Sequence, residues 1–151
     1  MLSVRNCLTI EIGRAAALVF ALAFACPSLA QAAEPTGTWL THDQDAKIRV
    51  SRCGNGICGT IVWLKEPIDP KTGKPHVDDK NSDPKKQNRR IIGLRIFSLS
   101  PRDAGTWSGK IYNADNGRTY DAKISAPSAT TLEVQGCAGP FCGSETWTRI
   151  R

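Results

Sequence analysis

The sequence predicts an all-β fold, an antiparallel up-and-down β-barrel of about eight strands. Three observations carry that prediction. Apolar residues recur with a period of two, turn signals punctuate the chain at short intervals, and no amphipathic stretch reaches helical length. Trp39 marks a first strand over 37–40, and Ile48 and Val50 alternate with Lys47, Arg49 and Ser51 over 46–52. Ile61 and Trp63 continue the alternation over 59–64, Leu94 and Ile96 over 91–99, and Trp107 and Ile111 over 106–112. Tyr120, Ala122 and Ile124 define 118–125, Leu132 and Val134 define 131–136, and Trp147 lies in a closing strand over 144–150. Gly54-Asn55-Gly56, Asp115-Asn116-Gly117, Ala126-Pro127-Ser128 and Gly139-Pro140 are the separators. Links that short make neighbours antiparallel, and closing the series into a barrel removes its exposed edges.

Ahead of the strands, Arg5, Glu11 and Arg14 precede an apolar run from Ala15 to Ala25, and small residues follow at Ala30, Ala32 and Ala33. That order predicts a secretory signal peptide over 1–32, cut after Ala32 or Ala30, and hence a periplasmic or extracellular protein. Eleven apolar residues fall short of the roughly 20 that span a bilayer. Cys26 follows Ala23-Phe24-Ala25, which lacks the leucine expected before a lipidated cysteine. Residues 33–151 then form a single domain whose 18 basic and 13 acidic residues leave a net charge of +5. That charge favours anionic partners, including peripheral contact with an anionic membrane.

Four cysteines remain beyond the leader, Cys53 and Cys58 in CGNGIC and Cys137 and Cys142 in CAGPFC. Four allow three pairings. Cys53–Cys58 and Cys137–Cys142 are favoured because each pair brackets a Gly-containing turn that brings strand ends together. A zinc tetrathiolate is the alternative, opposed by oxidation after export and by a spacing longer than the tight knuckle.

Residues 65–90 interrupt the pattern as a long polar loop with four prolines, fit for a lid, a binding edge or a plain excursion. Its Asp79-Lys80-Asn81-Ser82-Asp83 has calcium-loop spacing, but Pro84 replaces the required Gly and Arg90 the closing Glu. Lys85, Lys86, Arg89 and Arg90 offer an anion site, with a solvated flank as the plain alternative.

The ends of the chain resemble a family. Gly37-Thr38-Trp39 opens the first strand and Trp147-Thr148-Arg149 lies on the last. In lipocalins and their calycin relatives, a G-x-W at the first strand packs against a basic side chain near the closing strand and seals one end of the barrel. Between these ends lie C-G-x-x-x-C-G-x-I-V-W-L from Cys53 to Leu64, Ile92-Gly93-Leu94, Trp107-Ser108-Gly109-Lys110-Ile111-Tyr112 and Asn116-Gly117-Arg118-Thr119-Tyr120. The whole series resembles the bacterial exported family catalogued as domain of unknown function 2147. Ser82 and Arg90-Ile91 stand where some members carry a second Asn or an Arg-Pro step. The resemblance implies a lipocalin-like barrel in the cell envelope, with Gly37, Trp39, Trp147 and Arg149 as structural residues, and it carries no reaction.

Enzymatic readings lack parts. There is no G-x-S-x-G elbow, and His42 and His76 stand in polar stretches with no nucleophile indicated. The carboxylate pairs Asp43/Asp45 and Asp78/Asp79 lie where nothing predicts the burial that acid catalysis needs. No catalytic residue, cofactor or metal is expected, and nucleic acid is an unsuitable partner for an exported chain without aromatics among its charges. The barrel interior is left, either filled by side chains or holding a small apolar or amphipathic ligand. Trp63, Trp107, Tyr120, Arg89 and Asn81 are the candidate ligand contacts, in a monomer. The competing reading is an envelope protein-interaction module, such as an inhibitor of a secreted enzyme, that uses loop 65–90.

Overall fold

Alternating side chains give each strand one apolar face, and eight such faces bury themselves by curling around a common axis. In the computed structural model, which describes residues 33–151, the strands are β1 (Gly37–Leu40), β2 (Ala46–Cys53), β3 (Gly56–Leu64), β4 (Arg95–Asp103), β5 (Thr106–Asn113), β6 (Arg118–Ser128), β7 (Thr131–Ala138) and β8 (Phe141–Ile150). Each pairs antiparallel with the next, and β1 pairs with β8 through Trp39 opposite Arg149, so the barrel is closed. The predicted signal peptide lies outside the described residues.

The connections at 41–45, 65–94, 114–117 and 139–140 share one end of the barrel, and the tight turns after Cys53, Asp103 and Ser128 share the other. Both favoured disulfides are present, Cys53–Cys58 on the β2–β3 hairpin and Cys137–Cys142 on the β7–β8 hairpin. They sit at opposite ends of the barrel, so the four sulfurs do not gather into a zinc site. Two disulfides fit an oxidising, exported location.

Several strands run past the predicted bounds, β3 from Gly56, β4 to Asp103, β7 to Ala138 and β8 from Phe141, and three further departures have identifiable causes. β4 begins at Arg95, because residues 91–94 turn back on β3, with Gly93 N–H bonded to Ile61 O (2.8 Å) and Ile61 N–H to Leu94 O (3.0 Å). β6 runs through Pro127 and turns after Ser128; the β6–β7 register is irregular between Ser125 and Ser128, which accommodates the missing proline N–H. On β3, Ile48 faces Ile61 while Lys47 faces Trp63, so Val62 is an extra residue. That bulge inverts the alternation and turns Trp63 outward, where it is 37% exposed beneath the Lys47 ammonium, 4.6 Å from the ring centroid.

The end bearing the tight turns is sealed as the resemblance implies. The Arg149 guanidinium stacks over Trp39 at 4.2 Å and donates to the carbonyls of Thr36 (2.6 Å), Glu34 (2.6 Å) and Ala129. Trp39 Nε1 donates to Pro35 O (2.8 Å). Gly37 has φ +142°, and a Cβ there would lie 2.1 Å from Arg149 Nη1, so a side chain would displace the guanidinium from the seal.

Candidate functional site

Inward residues differ in size between the two halves of the barrel. Toward the sealed end, Trp39, Phe97, Leu99, Trp107, Ile124 and Leu132 are all buried and fill the interior. Toward the other end, β7 and β8 present Gly136, Ala138 and Gly143 inward, and small side chains leave space. The result is a cavity of about 720 Å³, within the range of small-molecule sites, walled by Ile48, Ile61, Ile96, Ile111, Val134 and Trp147. The interior is therefore filled in one half and hollow in the other.

Of the rings named as candidate ligand contacts, Tyr120 lines this cavity, and Trp147, expected only as a structural residue, lines it too. Trp63 is excluded by the Val62 bulge, and Trp107, opposite Ile124, belongs to the filled half. The mouth carries Asp43 and Asp45 from the β1–β2 loop, Asp115 from the β5–β6 turn and Glu145 from the inward face of β8. Glu145 lies opposite the buried Val134 and two residues from Trp147, a step that keeps it on the inward face of β8. Asp43, Asp45 and Asp115 came to the mouth only when the strands closed.

At the centre of the ties between loop 65–90 and the barrel is one buried carboxylate. Asp78 is fully buried, contrary to its reading as part of an unburied carboxylate pair. Its Oδ1 accepts from the Tyr112 hydroxyl on β5, and its Oδ2 accepts from Arg89 Nη2 (2.7 Å) and Asn81 Nδ2 (2.8 Å). Burial pushes the Asp78 carboxyl up, but the bonds from Tyr112, Arg89 and Asn81 outweigh it and hold the group below its ordinary value. Burial and the adjacent carboxylate push Tyr112 up, so its hydroxyl keeps its proton and remains a donor. A group held ionised in this way is unsuited to donate a proton near neutral pH.

Asn81 and Arg89, both candidate ligand contacts, direct these atoms at Asp78 and stand away from the cavity wall. Asn81 also donates to Tyr112 Oη (3.0 Å), and its Oδ1 accepts from Asp83 N–H (2.9 Å). A short 3-10 turn at Pro84–Lys86 and bridges between Ile68 and Pro75 and between Val77 and Arg90 complete the ordering of the loop. At Gly117, φ is +70° and a Cβ would lie 1.8 Å from Lys80 O, so the β5–β6 turn admits the loop only as glycine. The loop is a docked edge. Ile91 at its exit is buried and reaches the cavity wall.

A family model described as "Uncharacterized protein conserved in bacteria (DUF2147)" matches residues 37–149. No curated protein matches the chain. Among solved structures, the chain is similar to protein HP1028 from the human pathogen Helicobacter pylori, described as belonging to the lipocalin family. The TM-score is 0.65 at 22% identity, over 79% of this chain and 84% of that one. At that identity the likeness concerns the fold, an eight-stranded barrel of lipocalin type.

Proposed function

The chain belongs to that bacterial family, and from this premise we propose that it is an exported, non-enzymatic binding protein that holds a small apolar or amphipathic molecule in the open half of its barrel. The observation that carries the reading is the apolar hollow of about 720 Å³ above a packed floor. A folded chain that needed only stability would fill that space, because an unfilled cavity forfeits packing energy. The leader that the sequence predicts over 1–32 and the two disulfides support delivery to the periplasm. The sealing contacts and the strand framework serve a monomer, since closure leaves no sheet edge for a second copy.

The test uses residues 33–151, delipidated, with the neutral dye N-phenyl-1-naphthylamine. Saturable binding at one site is expected, and it should be lost in Gly136→Leu. A Cβ at Gly136 meets nothing nearer than Tyr120 Cβ at 3.7 Å, so the leucine fits the strand and fills the hollow. Absence of saturable binding, or equal binding by the filled variant, would overturn the reading.

The competing envelope-partner reading draws on Ile68, Val77 and Ile92, on or beside the long loop, which are three of the five large hydrophobics exposed among the described residues. Ile68→Asp with Ile92→Asp should leave dye binding unchanged; a simultaneous loss of dye binding would place these residues in the ligand path instead.

A further inference from the structure

The cavity's charge is opposite to the protein's. The chain as a whole carries +6, yet among the described residues the wall and mouth contain four carboxylates, Asp43, Asp45, Asp115 and Glu145, and no lysine, arginine or histidine. None of the ion pairs among the described residues involves any of the four. Asp45 accepts from the Thr41 hydroxyl (2.6 Å), which leaves its charge in place. The cationic side chains of the strands, such as Arg49, Arg95, Lys110 and Lys123, are exposed on the outer surface. The adjoining depression under loop 65–90 shares Asp43, Asp45 and Asp115 with the mouth and adds Lys65, Lys71, Lys80 and His76 beside Glu66, Asp69 and Asp79, so acidic groups outnumber basic ones there as well.

A second, independent feature lies deeper. Trp147 is 2% exposed and forms part of the cavity wall, and its indole Nε1 is the buried side-chain polar atom that has no hydrogen-bond partner among the described residues. An unpaired buried donor is costly and is normally satisfied. By contrast, the equally buried Trp39 in the seal donates to Pro35 O. Trp147 stands two residues below Glu145 on the inward face of β8, a step of roughly 7 Å along the strand.

Resting on the ligand-binding reading above, we propose that the occupant is an amphipathic cation. Its apolar body fills the hollow, a hydrogen-bond acceptor meets Trp147 Nε1, and its positive group lies among the mouth carboxylates. The field at the mouth disfavours fatty acids and other anionic amphipaths of the same length, even though the net charge of the whole protein would attract them.

Displacement of N-phenyl-1-naphthylamine by four matched probes tests this: decyltrimethylammonium, decanol, decanoate and decanoylcholine. The ammonium should bind at least about tenfold tighter than decanoate at low salt, with the gap shrinking as ionic strength rises. In Asp115→Asn with Glu145→Gln, the gap should fall below about threefold, with circular dichroism of the unliganded variant as the control for folding. Decanoylcholine, which adds an ester carbonyl, should outbind decyltrimethylammonium, and Trp147→Phe should abolish that advantage, with the circular dichroism and thermal melting of the unliganded variant as the control for folding. Decanoate binding as tightly as the ammonium would overturn the cation assignment while leaving the hollow a binding site. An unchanged advantage of decanoylcholine in Trp147→Phe would overturn the role of the indole. Failure of all four probes and of the dye would remove the binding reading itself and this inference with it.

Discussion

Replacing Asp78 with Asn keeps the shape of the side chain and removes its charge, which isolates what the carboxylate contributes to loop 65–90. Three donors meet it: Tyr112 Oη, Arg89 Nη2 and Asn81 Nδ2. In the variant the amide oxygen can still accept from Arg89 and Asn81, while its Nδ2 faces Tyr112, whose hydroxyl must turn to accept; with a hydrogen bond to a charged group worth about 1.5–3 kcal/mol against about 0.5–1.5 for a neutral one, the three contacts lose roughly 3 kcal/mol in all. The Arg89 side chain is 43% exposed and can recover part of its hydration, which lowers the expected cost to about 2–3 kcal/mol. If the loop opens without the barrel, hydrogen exchange at the loop amides should accelerate by about 30- to 160-fold. The reporters are Asp78 N–H on Arg89 O (2.8 Å), Asn81 N–H on Asp78 O (3.0 Å) and Ile91 N–H on His76 O (3.1 Å). If loop and barrel unfold together, Tm should drop by about 10 °C or more. The effect has a pH signature. Because the folded carboxyl lies below its ordinary value, its stabilisation is complete above about pH 4 and is lost as pH falls through the depressed value. The difference between wild type and variant should therefore be full at pH 6 and close in stronger acid. Exchange within threefold of wild type, together with an unchanged Tm, would refute the view that Asp78 docks the loop.

The sealed end gives a second prediction: Arg149→Lys keeps the charge but cannot reach the carbonyls of Glu34, Thr36 and Ala129 together or stack as a plane on Trp39, so the unfolding free energy should fall by about 2–3 kcal/mol, read as a lower urea midpoint with no change in m. Cys53→Ser with Cys58→Ser opens a loop of sequence separation 5 and should cost about 2 kcal/mol, read as a lower denaturant midpoint without loss of the barrel's circular dichroism. Gly117→Ala places a methyl against Lys80 O at positive φ, so loop exchange should accelerate while the core strands stay protected. Tryptophan fluorescence separates the four indoles: Trp147→Phe should remove most of the response to a cavity ligand, whereas Trp63→Phe should leave it intact, because Trp63 faces solvent beneath Lys47.

Period-two patterning, short turns and the CGNGIC and CAGPFC hairpins were enough to read the eight strands and to favour both disulfides, because each depends on residues a few positions apart, whereas the Trp39–Arg149 seal was expected from the family resemblance carried by the motifs at the chain ends. The candidate site was legible only in part. Tyr120 keeps the register that alternation assigns and lines the hollow, but Trp63 sits beyond the extra residue Val62, and no local signal marks which residue a bulge will add. Burial of Asp78 was invisible for a related reason: its partner Tyr112 is 34 residues away, and a polar stretch looks solvated until something covers it.

By itself the sequence determined an all-β barrel with pinned hairpins and a basic net charge, properties that sum over neighbouring residues. Only closure of the barrel decided that the interior is packed at one end and hollow at the other, that a basic protein has an acidic mouth, and that Trp147 keeps a donor free in the wall. Those features depend on which side chains from separate strands meet at the same height, and that is set by register and bulges.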